Sequence, residues 1–407
     1  MDQILIKKVV ICQHRLLHYR LGLFERLRNI CIQRDIELHL VHGQASRREL
    51  VKRDEGSLPW AYKVRNRFWE MAGIDIVWQP FPPDLRDADL VVVMQESRIL
   101  SNYPLLFGRY WNKRKVAYWG HGRNFQSDNP ECLREKWKSK LTGSVDWWFA
   151  YTDMTRGILL ADGYPAERIT VLDNAIDNES FQRDLEAITT DQLDGLRAEI
   201  SADVDAPIGL YCGSLYPDKR LDYLIAAADR IQQAIPEFRL VVIGDGPSAR
   251  EIETAAANHP WLHWVGVRKG QEKAAYFRLA SIVLNPGLVG LHVLDSFCAG
   301  VPMMTTPDAK HSPEIAYLKD GVNGLVVAGS PENYATSVIN LLNDRDNLER
   351  IKQAALQDAQ RYTLDNMVNR FADGIEHCLA SPKKRGGHSV NFTTRNNLES
   401  GGLHENR

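Results

Sequence analysis

The chain contains no apolar run approaching the roughly 18–20 residues needed to span a bilayer. Its amino terminus, MDQILIKKVVICQH, is a short strand-like run with charges inside it, not the pattern of a secretory signal. Any membrane association is therefore expected to be peripheral. Cysteine is sparse: Cys12, Cys31, Cys132, Cys212, Cys298 and Cys378 are dispersed, with no CxxC or metal-ligand spacing. Most sit among apolar neighbours, which fits buried thiols in a reducing cytoplasm. A large charge of one sign is also lacking. The net charge of -2 argues against a nucleic-acid binder driven by overall charge. No internal repeat is visible.

What is present is an ordinary globular composition, 44% hydrophobic and 25% charged, over 407 residues, a length that favours two domains. Short apolar runs alternate with longer amphipathic segments, which predicts α/β architecture with parallel sheets. Strands are expected at Lys8–Cys12, Glu37–Val41, Ile74–Trp78, Leu90–Met94, Val116–Trp119, Trp147–Tyr151 and Ile169–Leu172. A second series fits Ile208–Cys212, Arg239–Ile243, Leu262–Val265, Ile282–Leu284 and Met303–Thr305. We read residues 1–177 as a first doubly wound, Rossmann-like domain and 206–362 as a second. The polar stretch 178–205 connects them, a helix covers 363–380, and 381–407 reads as a disordered tail. Ligands of open parallel sheets bind beyond the strand C-termini, so facing domains would enclose a cleft.

The densest signal runs from Asn285 to Gly324. An apolar strand meets the glycine-bearing turn Gly287–Gly290, and a helix is predicted to begin near Leu291. Such a turn presents unpaired amides and the positive end of a helix dipole, which suits a phosphate. Asp295 lies one helical turn further on, on the same face, where a carboxylate can accept from a ribose diol. Phosphate donors beside a ribose acceptor suggest a nucleotide-sugar site.

Other constellations fall at the same sheet edges. In Tyr211-Cys-Gly-Ser-Leu-Tyr-Pro-Asp-Lys-Arg-Leu-Asp222, a strand ends in Gly213-Ser214 and a helix opens on Lys219-Arg220. Cations oppose the dipole there, so a bound diphosphate explains them better than a plain helix start. Ile243-Gly-Asp-Gly-Pro247 is half a dinucleotide fingerprint, and a tight turn accounts for Gly244 equally well. His121 sits between glycines at a strand end, and Glu314 follows a strand and a loop, free to bind a hydroxyl or pair with Lys219 or Arg220. The first strand-to-helix loop, Gln13–Arg20, offers Arg15, His18 and Arg20 for acceptor contact. Eight of the ten tryptophans precede residue 150. Between Ser101 and Lys140, nine basic residues face three acidic ones, a local +6. That stretch reads as a solvated helical face or as contact with an anionic membrane or pyrophosphate-bearing acceptor.

From Lys8 to about Ala380 the chain resembles a family 4 glycosyltransferase. Tyr211–Asp222, Val241–Pro247 and Asn285–Gly324 carry most of the likeness, with Tyr151–Phe181 resembling the family's inter-domain passage. The resemblance implies the two-domain B-type (GT-B) fold, with the C-terminal helix packing back toward the first domain. It also implies retaining, metal-independent transfer from a nucleotide-sugar donor, UDP on family frequency, with no cofactor. Gly290 and Leu291 would then supply amides to the pyrophosphate, Lys219 would neutralise it, Asp295 would hold the ribose and His121 would touch the donor sugar. Gly213, Ser214, Arg220, Gly244, Gly287 and Glu314 complete the expected donor site.

The acceptor is expected to be a glycan or a lipid-linked glycan of cell-surface polysaccharide synthesis, with the enzyme cytoplasmic or peripheral on the inner face of the plasma membrane. The chain departs from the family pattern in three places. The family's paired glutamates, eight positions apart, are Gly287 and Asp295 here, and its arginine after the first C-domain glycine is Ser214. These departures keep two other readings open: a nucleotide-sugar epimerase and a catalytically silent nucleotide-sugar-binding scaffold.

Overall fold

The computed structural model describes residues 6–50, 54–71, 73–122 and 141–384. In chain order its strands are β1 Lys7–Arg15, β2 Ile36–Gly43, β3 Tyr62–Lys63, β4 Arg67–Met71, β5 Ile74–Trp78, β6 Leu90–Met94, β7 Lys115–Gly120, β8 Trp147–Ala150 and β9 Ile169–Val171. The second half adds β10 Ile208–Cys212, β11 Arg239–Ile243, β12 Leu262–Gly266, β13 Ile282–Leu284, β14 Met303–Thr305 and β15 Gly324–Val326. The helices are α1 Leu21–Gln33, α2 Asn102–Gly108, α3 Asp153–Ala161, α4 Asn178–Glu186, α5 Thr190–Glu199 and α6 Leu221–Ala234. They continue with α7 Ala249–Asn258, α8 Gly270–Leu279, α9 Val293–Ala299, α10 Pro331–Asn343, α11 Arg345–Arg361 and α12 Leu364–Ala380.

Two parallel sheets result. The first runs β3-β2-β1-β6-β7-β8-β9 and the second β12-β11-β10-β13-β14-β15. Their central strands are continuous apolar runs because helices cover both faces: Val9–Ile11 and Leu90–Val92 are fully buried, as are Leu240–Val242. The strand order reverses between β1 and β6, and again between β10 and β13. These are the switch points where crevices open in such sheets.

Three expectations change. Ile74–Trp78 is a strand, but it pairs antiparallel with β4 as a separate hairpin, turning through Gly73 at φ 78°. Residues 178–205, read as the inter-domain connection, carry secondary structure of their own. They form α4 and α5, which pack on α8 and α9 of the second domain, with Phe181 edge-on to Phe277 at 5.4 Å. Of the tail expected over 381–407, residues 381–384 are held, with the Lys384 amide donating to Asp146 Oδ1 at 2.9 Å, and 385–407 lie outside the described residues.

The basic stretch is also different from a solvated face where it is described. Arg109 is buried and paired with buried Asp146, donating to Oδ1 at 2.6 Å and Oδ2 at 3.1 Å. Lys115 Nζ caps α12 by donating to the carbonyls of Cys378 and Leu379, where a cation complements the helix dipole. Lys113 is exposed and Arg114 half-buried; Arg123, Arg134, Lys136, Lys138 and Lys140 lie outside the described residues.

The last helix does return to the first domain. α12 lies on α1, β8 and β9 and buries Met367, Val368, Phe371, Ala372 and Ile375. Gly374 permits that approach, because a Cβ there would stand 2.5 Å from Thr170 Oγ1.

Candidate active site

The second-domain wall of the crevice is built from loops at the C-termini of β10, β11, β13 and β14. They are locked together backbone to backbone. Gly244, at φ 143°, lies so close to the Gly213 carbonyl that a Cβ would stand 1.9 Å from its oxygen. Gly287 is pressed against the Lys219 backbone, where a Cβ would stand 2.4 Å from Cα. This explains the missing glutamate: the Lys219 loop occupies the space that any side chain at 287 would need.

Lys219 is nine-tenths buried. Its ammonium donates to the Leu288 carbonyl inside the glycine turn. Burial pushes its pKa down to about 8, and Asp218 only partly restores it. Arg220 holds a left-handed conformation, φ 53°, and donates to Thr306 Oγ1 at 2.9 Å. Neither cation pairs with Glu314, contrary to one sequence-based expectation. Glu314 is buried and accepts from Asn174 Nδ2 at 2.6 Å, and burial raises its pKa. Ser214 is exposed, and its carbonyl accepts from the Tyr211 hydroxyl at 3.0 Å.

The turn leaves its amides open. Leu288 N donates to the Asp218 carbonyl and Val289 N to His311 Nδ1 at 3.1 Å. Among the described residues the amides of Gly290 and Leu291 have no protein acceptor. The helix starts two residues later than predicted, at Val293. Asp295 faces a partner that the sequence reading missed: Lys273 Nζ donates to its Oδ1 at 3.0 Å. Burial raises the Asp295 pKa, and Lys273 opposes the rise. His292 is held neutral, first by burial and then by Lys219, Lys273 and His311. This wall therefore concentrates cations around a turn with free donors.

The first domain closes the other side. A cavity of about 390 Å³ is lined by Arg15, Arg20, His121 and Tyr151 from that domain and by Gly290, Leu291, Ser312 and Glu314 from the second. His121 stacks on Tyr151 at 4.2 Å. Buried Arg20 lies 4.4 Å over the Trp119 ring and donates to the Tyr151 hydroxyl at 2.9 Å. Among the described residues its buried Nη1 has no hydrogen-bond partner. Arg15 is tied to Asp54. His18 is not in the lining: it is exposed, with Nδ1 3.2 Å from the Asp54 carbonyl. The structure thus brings Arg15 and Arg20, but not His18, into the cavity lining.

The lining also holds a charged network absent from the sequence-derived candidates. Glu49 Oε1 contacts His14 Nε2 at 3.0 Å and accepts from Arg98 Nη2 at 3.0 Å. Arg98 Nε donates to Glu96 Oε2 at 2.8 Å. These contacts hold both carboxyls below the usual range despite burial. His14 was legible as part of the Gln13–Arg20 loop. Glu49, Glu96 and Arg98 come from elements brought alongside only by the fold.

Comparison with known proteins agrees with this fold. The family profile described as "Glycosyl transferases group 1" matches residues 206–344. A sulfoquinovosyl transferase of Arabidopsis thaliana is 23% identical over 51% of this chain and 39% of its own length. A D-inositol 3-phosphate glycosyltransferase of Streptomyces bingchenggensis is 25% identical over 61% of this chain and 56% of its own length. The chain thus spans between two fifths and three fifths of these relatives. Anabaena Alr3699/HepE, solved in complex with UDP, superposes with a TM-score of 0.63 at 14% identity, covering 91% of this chain and 99% of that one. The fold is that of the GT-B glycosyltransferases. Residues 206–344 match that glycosyltransferase group, in agreement with the likeness of the motifs there to family 4.

Proposed function

We propose that this protein is a retaining glycosyltransferase. It moves a sugar from a UDP-linked donor to a hydroxyl of a glycan or lipid-linked acceptor, in cell-surface polysaccharide synthesis. The observation that carries the reading is Lys219: a nine-tenths buried ammonium set against a glycine turn with unclaimed amides at Gly290 and Leu291. A cation so desolvated, with its pKa lowered to about 8, is stabilised by an anion at that turn, and a diphosphate supplies one. Asp295, paired with Lys273, offers its second oxygen to a ribose diol. Gly213, Gly244 and Gly287 keep the loops thin enough for the nucleotide.

In this reading the bond between the anomeric carbon and the phosphate oxygen breaks as the acceptor oxygen bonds on the same face. The acceptor proton passes to the leaving phosphate oxygen. Lys219 and the two amides stabilise the developing charge as preorganised groups, so the reading calls on no metal. The donor sugar lies in the cavity beside His121, and Arg15 and Arg20 face the acceptor. Among the described residues no helix is long and apolar enough to cross a membrane. Peripheral attachment at the inner face of the plasma membrane fits a lipid-linked acceptor.

The test is thermal melting of the purified chain with UDP, GDP, ADP, TDP and their sugar conjugates, followed by a transfer assay with the stabilising donor. Ligand that binds only the native state raises the melting temperature. A UDP-selective shift, followed by an α-product from an α-donor, is expected. Loss of the shift in Lys219→Ala is expected as well. Epimerised donor would favour the epimerase, binding without turnover the scaffold, and no shift with any nucleotide would overturn the assignment.

A further inference from the structure

We infer that the hairpin β4–β5 and the outer face of α2 form a docking surface for an anionic lipid bilayer. The register of the hairpin pairs Arg67 with Trp78, Trp69 with Ile76 and Met71 with Ile74. Directly opposed residues share a face of a sheet, so one face carries Trp69, Met71, Ile74, Ile76 and Trp78 together. Trp69 is 51% exposed and Met71 65%, with Ile74 and Trp78 each at 37%. Arg67, opposite Trp78, borders that face, and the carboxylates turn the other way: Glu70 pairs with Arg48, and Asp75 accepts from Ser46 Oγ. A sheet face that is apolar and open to solvent is unusual unless something covers it.

The stripe continues onto α2. Leu100 donates its amide to the Val77 carbonyl of the hairpin. From there Leu100, Pro104, Phe107 and Trp111 follow at helical spacing, all exposed, with Trp111 at 82%. Asn102, Leu106 and Arg109 face inward.

The flanking charges favour a bilayer over a second copy or another protein. Lys63, Arg65, Arg67 and Lys113, from the hairpin, the chain leading into it and the chain after α2, are exposed, while the hairpin's Glu70 and Asp75 are engaged by Arg48 and Ser46. Tryptophan beside cations is the composition of a membrane–water interface, and positive charge complements anionic headgroups. The location fits too. Val77 N donates to the carbonyl of Arg98, and the Arg98 side chain lines the cavity, so the surface adjoins the first-domain side of the crevice. This inference does not depend on the transfer reaction.

Flotation of the full chain with phosphatidylcholine vesicles, with and without 30% phosphatidylglycerol (roughly the anionic content that gives a strong surface potential), tests it. Co-flotation with the anionic vesicles is expected, with several-fold less on phosphatidylcholine alone. Trp69→Ser/Trp78→Ser and, separately, Phe107→Ser/Trp111→Ser should each weaken partitioning by about tenfold or more, since each buried aromatic contributes at least that much. All four positions are exposed, so melting temperatures should hold and confirm folded protein. No flotation, or flotation unchanged by either double variant, would overturn the inference. A concentration-dependent dimer abolished by the same variants would overturn it in favour of a self-association face. No donor is present in the assay, so failure of the transferase reading leaves its outcome intact.

Discussion

Lys219 and Gly287 are one device at the residue scale. The lysine was legible because cations at a helix start need an explanation. The reason for Gly287 was not, because it lies in the backbone of a loop 68 residues earlier in the chain. Two predictions follow from the contact. Gly287→Ala forces a Cβ against the Lys219 backbone and should cost about 1–3 kcal/mol, read as a lower melting temperature and a smaller UDP-induced shift. Full retention of both would show that the Lys219 loop yields freely. The second concerns pH. The free Lys219 loses its charge near pH 8, below its unfolded value, and a bound diphosphate restores it. The UDP dissociation constant should thus rise as pH climbs from 7 to 9, by up to about tenfold per unit above pH 8. Lys219→Ala should bind weakly with that rise removed. A flat profile in the unsubstituted protein would remove Lys219 from the diphosphate site.

Among the elements, the strands were the most readable part of the chain. Leu90–Met94, Ile208–Cys212, Arg239–Ile243, Ile282–Leu284 and Met303–Thr305 agree residue for residue with expectation, because parallel strands buried on both faces leave continuous apolar runs. The hairpin failed on the same rule: Ile74–Trp78 looks like a core strand, yet its apolar face is open. Arg109 failed for the opposite reason. Its charge suggested solvent, but its Asp146 partner lies 37 positions away, and nothing local announces the pair. Asp146 also accepts from Val116 N at 3.0 Å and Lys384 N at 2.9 Å, so it joins α2, β7 and the C-terminal segment. Asp146→Ala leaves a buried guanidinium unpaired, and a loss of about 3–5 kcal/mol is expected in denaturant unfolding. A loss below 1 kcal/mol would mean that water or another acceptor replaces the carboxylate.

The whole molecule is held together by the passage that follows β9. Asp173 sits at φ 50°, almost fully buried, between Arg370 of α12 at 2.9 Å and Arg361 at the end of α11 at 3.5 Å. It thus ties the first sheet to the helix that returns over it and to the last helix of the second domain. Its neighbour Asn174 reaches the cavity and holds Glu314 of the other domain. Asp173-Asn-Ala-Ile-Asp177 is legible as a turn, but the arginines that make it a junction lie almost 200 residues on. Both guanidinium groups keep substantial contact with water, so Asp173→Ala should cost about 2–3 kcal/mol, less than a fully buried pair. The loss should fall on domain coupling more than on either core, because α12 still buries Phe371 and Ile375 against the first domain. Calorimetry should then resolve two transitions where one is expected for the unsubstituted chain, and UDP should raise only the transition of the second domain. A single transition at an unchanged temperature would show that the apolar seam under α12 couples the domains by itself.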